Sequence, residues 1–219
     1  MNYMKGLKWI CVGIAVIGIV FWMIGVYRVN HDYENAEIVL PDGIFESHGF
    51  RIDDVSATIY DPAVLCRDAS QDLEEYLIQD AAIDYMNFQG YSKTMIVTVC
   101  VTNQTQEDVS VQKTGFPLGV KCISWFNGND PMGYALLNGT DTISSGESAE
   151  IYIPITLCKE HMGESLWENL GGETYYLVMN IDNRFYDFPI VCPKVINGTD
   201  EENDVFIKKV QSYIEEFQP

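Results

Sequence analysis

From Met95 to Val101 the apolar residues Met95, Val97, Val99 and Val101 fall on one face, with Ile96, Thr98, Cys100 and Thr102 on the other. A half-buried β-strand has this period of two, because successive side chains point to opposite sides. The polar run 103–108 breaks the pattern as a turn, and Val109 and Val111 begin a returning strand. Further strands are predicted through Phe50, Ile52, Val55 and Ala57, and from Val120 to Phe126. Others run through Ile151, Ile153 and Ile155, and over 173–181 and 184–191. Turn formers cluster at 127–133, 138–140 and 144–148. Short strands between polar turns predict an antiparallel β-sandwich rather than alternating βαβ units.

Three segments leave this period. Over 68–89, Leu73, Tyr76, Leu77 and Ala81 recur at helical spacing, and Asp68 with Gln71 is a capping signal. A short helix inserted between strands is expected there. Over 158–170, Met162, Leu166, Trp167 and Leu170 fit a short helix or helical turn crossing between sheets. The last segment reads as a helix with a capping box at Thr199 and Glu202 and acidic residues Asp200 and Glu201 at its positive end. Its stripe of Phe206, Val210, Tyr213, Ile214 and Phe217 is expected to dock on its own domain.

The N-terminal region carries a different signal. Between Lys8 and Arg28 there is no charged residue. As a helix this run is about 28 Å long, close to the hydrocarbon core of a bilayer. Trp9, Trp22 and Tyr27 lie towards its ends, where amphipathic rings prefer the interface. The run is longer than a signal peptide core and no small-residue cleavage pattern follows it, so it reads as an uncleaved single-span membrane anchor. Lys5 and Lys8 precede it, and Asp32, Glu34 and Glu37 follow Arg28, which favours a cytoplasmic N-terminus and an extracytoplasmic remainder. The organisation expected is a cytoplasmic tip and transmembrane helix over 1–29, an acidic linker over 30–42, a β-sandwich over 43–195 and a C-terminal amphipathic helix over 196–219.

Charge and cysteines narrow the partners. Over 219 residues the formal net charge is -19. Nucleic acid and anionic lipid surfaces recruit Lys and Arg, so neither is an expected partner of the domain. Cys66, Cys100, Cys122, Cys158 and Cys192 are an odd set with no C-x-x-C spacing. They are expected to be free and mostly buried rather than a disulfide framework.

Candidate chemistry is sparse. His161 and Glu164 have the H-x-x-E spacing of some metal sites, but His31 and His48 are far away in sequence and no second ligand pair accompanies them. Cys158, His161 and Glu164 can be written as a nucleophilic triad only if one helix begins before Cys158, whereas Ile153–Leu157 reads as a strand. Asp182, Asn183 and Asp187 are oxygen-rich but lack the ligand spacing of a calcium loop. No catalytic, metal or cofactor residue is therefore assigned, and an enzyme is not expected. Asn103, Asn138 and Asn197 begin N-x-S/T sequons, which would lie on the surface if glycosylated and otherwise mark turns. Val97, Val99, Val101, Ile151, Ile153, Ile155 and Trp167 are expected core residues, with His161 on a solvated face.

The stretch 153–181, with its "LWENL" at 166–170, and the stretch 95–111 resemble a bacterial group known only as domain of unknown function 5028. The resemblance covers about Gly43 to Pro193. It implies a single-span, extracytoplasmic module with an immunoglobulin-like sandwich and brings no catalytic residues; the long C-terminal helix has no counterpart in it. The function expected is a membrane-anchored binding module at the bacterial cell surface with a protein partner. The alternatives are an accessory subunit of a membrane transport or export system and a cell-envelope hydrolase.

Overall fold

The computed structural model describes Met23 and residues 45–47, 49–88, 92–110, 116–122, 125–139, 142–181 and 184–217. The chain divides into units Met1–Glu37 and Ile38–Pro219, and every element below belongs to the second. In chain order these are β1 (Phe45–Ser47), β2 (Phe50–Tyr60), α1 (Pro62–Cys66), α2 (Gln71–Phe88), β3 (Lys93–Asn103) and β4 (Val109–Ser110). Then follow β5 (Phe116–Cys122), β6 (Trp125–Gly128), α3 (Pro131–Asn138), β7 (Thr142–Ile143) and β8 (Ser148–Leu157). The last are α4 (Lys159–Met162), α5 (Glu164–Glu168), β9 (Thr174–Ile181), β10 (Arg184–Val191), β11 (Lys194–Ile196) and α6 (Asp200–Phe217). Among the described residues no helix is long and apolar enough to cross a membrane. The predicted span, Met23 apart, and the linker lie outside the described residues.

Two sheets face one another. The five-stranded sheet runs β1-β2-β3-β8 with β11 beside β2, and the four-stranded sheet runs β10-β9-β5-β6. One cluster joins Ile59, Met95, Val97, Val99, Val101, Ile151, Ile153, Ile155 and Leu157 of the first to Val120, Trp125, Tyr175, Leu177, Phe188 and Ile190 of the second. The fold is therefore mainly β, a sandwich, and the alternations read from sequence are its inward faces. Ladders within the sheets are antiparallel except for β11, which runs parallel to β2. That departs from an all-antiparallel expectation: the chain leaves β10 at Cys192 and Pro193 and enters the other sheet in the direction of β2.

The skipped position in the β2 pattern has a cause. The register with β3 shifts between Ile52 and Asp54, so Phe50 and Ile52 point inward before the irregularity and Val55, Ala57 and Ile59 after it. A bulge rephases the strand, and Asp53 is left exposed at the irregularity.

Other expectations need correction. The polar turn after β3 does not return to β3: β4 pairs with β7 in a separate two-stranded ladder. The single strand expected from Val120 to Phe126 is a hairpin, with Cys122 opposite Trp125. Of the turn formers at 127–133, Asn127 and Gly128 end β6 and those from Asp130 start a helix: Asp130 accepts hydrogen bonds from the backbone N–H of Met132 and Gly133 at 2.8 and 3.3 Å and caps α3, with Pro131 in its first turn. The inserted helix α2 has 18 residues and is not short, and the Ser70 hydroxyl, not Asp68, bonds its first-turn N–H at Leu73. The 158–170 segment divides into α4 and α5 at Gly163, whose φ of 80° ends the first helix.

The helices α1, α2 and α6 form a second apolar cluster of Ala63, Ala81, Ala82, Phe206 and Val210, which Tyr213 and Ile214 flank. The predicted stripe of α6 docks here. The small side chains of Ala81 and Ala82 let Phe206 and Val210 approach α2, and ion pairs Arg67–Glu202 and Lys209–Glu74 close the flanks. The capping box is formed as expected, with Thr199 Oγ1 accepting from Glu202 N at 3.2 Å and Glu202 Oε2 accepting from Thr199 N at 2.8 Å.

Candidate functional site

The structure separates the residues that sequence spacing had placed together. Cys158 is the N-cap of α4, is buried, and donates its thiol to Asp84 Oδ2 at 3.4 Å. Burial first, then the Asp84 charge, pushes the thiol up to about 12, so it stays protonated and is no nucleophile. His161 is exposed on α4, whereas Glu164 begins α5 beyond Gly163 and pairs with Lys159 at 3.0 Å. No triad and no H-x-x-E face results. Among the described residues no group of three or more His, Cys, Asp or Glu side chains is arranged to hold a metal ion. Asp182 and Asn183 lie outside the described residues. Cys66, Cys100, Cys122, Cys158 and Cys192 are all free, and Cys192 is exposed.

The sequon asparagines are mostly structural. Asn103 is fully buried: its amide donates to the carbonyls of Glu107 and Ile143 at 2.8 and 2.9 Å and accepts from Thr105 N and Oγ1 at 2.9 and 2.7 Å. Asn138 is half-buried and bonded to Tyr134 and Tyr152. Only Asn197 is exposed, where it accepts from Lys93 Nζ at 2.9 Å.

The face that has the character of a binding surface is the outer side of the four-stranded sheet. Tyr175, Leu177, Phe188, Ile190, Val120 and Trp125 point into the core, so their neighbours Tyr176, Pro189, Lys121 and Phe126 point out. The ladders put those four in one row across the sheet: Pro189 opposite Tyr176, Tyr176 opposite Lys121, Lys121 opposite Phe126. Phe126 is 56% exposed and Val191, two residues beyond Pro189, is 68% exposed. The Lys121 side chain crosses β9 to pair with Asp187 on β10, its ammonium 5.9 Å from the centre of the Tyr176 ring. Asp187 is buried, and among the described residues its Oδ1 has no hydrogen-bond partner. The pair neutralises itself, leaving a patch of low net charge on an acidic chain. Below this row Gly119 is required, because a Cβ there would strike the backbone of Asn127 and Gly128 on β6. Sequence reasoning missed the patch. The signal was present in the adjacent Trp125 and Phe126, since neighbours in a strand point to opposite faces and only one of the two rings can enter the core.

Several clefts follow α6, and two of them adjoin its first half. One of about 440 Å³ is lined by Cys66, Arg67, Glu202, Val205, Phe206 and Lys209. The other, about 250 Å³, lies beside Trp167, with Lys93, Asp61, Asn203 and Phe206. Trp167, expected in the core, is instead half-buried: it packs against the edge of the main cluster and forms a wall of this cleft. Lys93 there is paired with Asp61, and the other oxygen of Asp61 accepts from Gly198 N at 2.8 Å, so this polar lining is satisfied internally.

No family model and no curated protein matches the chain. Among solved structures it is similar to an uncharacterised β-sandwich protein from Clostridium difficile 630, at 8% identity over 71% of this chain and 95% of that one, with a TM-score of 0.41. It is also similar to a conserved hypothetical protein from Bacillus anthracis, at 10% identity over 68% and 93% of the two chains, with a TM-score of 0.36.

Proposed function

We propose that this chain is a membrane-anchored, extracytoplasmic binding module with an immunoglobulin-like ectodomain, of the kind implied by its resemblance to the domain of unknown function 5028 group. The anchor is the uncharged run between Lys8 and Arg28, and the flanking charges favour an outside ectodomain. The observation that carries the binding role is the row of Pro189, Tyr176, Lys121 and Phe126 with exposed Val191 beside it. A large exposed ring in a patch without net charge marks a surface that another molecule covers. The occupant is a protein component of the cell surface. Aromatic rings supply contact area there at a low cost in side-chain entropy.

The test is a photo-crosslinking amino acid at position 126, or at 191, of the full chain in intact cells, with exposed position 147, in the turn before β8, as control. A discrete adduct from 126 and none from 147 is expected. Absence of any adduct from 126 and 191 defeats the reading. Protease added to intact cells digests the ectodomain if the orientation is right; full protection defeats the location.

A further inference from the structure

Helix α2 is joined to the sandwich by carboxylates. Asp80 Oδ2 accepts from Thr156 Oγ1 of β8 at 3.0 Å, and Asp84 Oδ2 accepts from the Cys158 thiol just beyond β8. Asp130, the cap of α3, accepts from Tyr76 of α2 at 2.5 Å. Asp80 and Asp84 stand one turn apart on the face of α2 turned to β8, and Asp130 approaches from the β6–α3 corner. The groups facing Asp80 are therefore Tyr76 and Asp84 on its own helix, Thr156 on β8, and Asp130 before α3. Cys158 faces Asp84, and Glu160 of α4 acts on Cys158. Among the described residues no Lys or Arg is among the groups acting on Asp80. Its hydroxyl partner, Thr156, offsets only part of the burial and the like charge.

We propose that this seam is a proton-controlled clamp, in which protonation of Asp80 tightens the seating of α2, and of the α1–α6 layer packed behind it, on the sandwich. Ionised, Asp80 is a partly buried charge beside two other carboxylates and is repelled. Neutral, it keeps the Thr156 contact and removes that repulsion. Burial, then the charge of Asp84, raises its carboxyl from the ordinary 3.8 to about 6. A carboxyl that is a weaker acid in the folded state than in the open one adds stability below its open-state value. That stability is lost as pH rises through the folded value. The window is thus about pH 4 to 6, and the clamp is loose at neutral pH. The same α2 carries Ala81 and Ala82 against Phe206 and Val210, so the cleft along α6 is coupled to the seam.

Hydrogen exchange of the full chain in detergent micelles, corrected for intrinsic rates, tests this at pH 5 and pH 8. The opening constant of α2 amides should fall about tenfold at pH 5 relative to pH 8, with β3 amides changing less. Asp80→Asn should abolish the difference. Equal α2 protection at the two pH values overturns the proposal, as does a slope that survives in Asp80→Asn or an equal shift in β3. If that variant does not fold, carboxyl carbon NMR on the parent decides: a midpoint for Asp80 near 6 supports the clamp, and one in the ordinary aspartate range overturns it.

Discussion

The side-chain amide of Asn138 closes on both backbone groups of Tyr152, donating to its carbonyl at 2.7 Å and accepting its N–H at 2.8 Å. Among the described residues strand β8 pairs with β3 on one side only, so its other side is a sheet edge. Because Tyr152 turns its groups towards Asn138, Pro154 and Thr156 turn theirs the same way. Pro154 has no N–H to leave unpaired, and Asn127 Nδ2 donates to the Thr156 carbonyl at 2.7 Å. Two asparagines and a proline thus close an edge that would otherwise template another strand.

Asn138→Asp replaces the donor by a second acceptor facing the Tyr152 and Tyr134 carbonyls. It should cost about 1–3 kcal/mol and open the β8 edge. A thermal melt and size-exclusion chromatography at several concentrations read this, with a lower melting temperature and concentration-dependent association as the expected result. An unshifted melt with a monomer throughout would show that the edge is closed by other means.

Asn103→Ala strips the loop between β3 and β4 of its buried bridge to the Ile143 carbonyl. Buried donors and acceptors left without partners cost about 1–3 kcal/mol each, so the loss should be several times that of Asn197→Ala at the exposed sequon. Chemical denaturation of the three proteins side by side gives the comparison. Equal midpoints for the two variants would contradict the structural role of Asn103.

Trp167→Ala should destabilise by about 2–3 kcal/mol, below the ~3–5 of a fully buried ring, since one side of Trp167 faces the cleft. His161→Ala, on the exposed side of α4, should change stability by less than about 0.5 kcal/mol. The melts should fall in that order. A Trp167→Ala protein that melts with the parent would move this residue from the core edge to a binding role.

The thiols should differ in rate. Cys192 is exposed and Cys158 is buried with its thiol pushed up to about 12. Timed alkylation of the native protein at pH 8 is expected to label Cys192 first and Cys158 last. Mass analysis after unfolding without reductant should find every one of the five cysteines from Cys66 to Cys192 alkylatable. Any bridged pair among them would refute the free-cysteine structure.

Local pattern determined a good deal of this protein. The period-two runs 95–101 and 151–155 became β3 and β8 with the predicted inward faces, because burial on one side of a strand leaves a trace at every second residue. The Thr199–Glu202 box and the α6 stripe were equally legible, since capping partners and a helical face lie within a few residues of one another. Tertiary structure alone decided what depends on chain segments far apart. It determined that β4 joins β7 rather than β3, that the Val120–Phe126 run folds back as a hairpin, and that the turn at Asp130 opens a helix. In each case several local conformations suit the same residues, and packing against a distant strand selects one. The same holds for the sites. Cys158, His161 and Glu164 looked like neighbours in sequence and are parted by one glycine's backbone angle. Asp80, Asp130 and Thr156 gave no local sign of belonging together, because what joins them is the docking of a helix across a sheet.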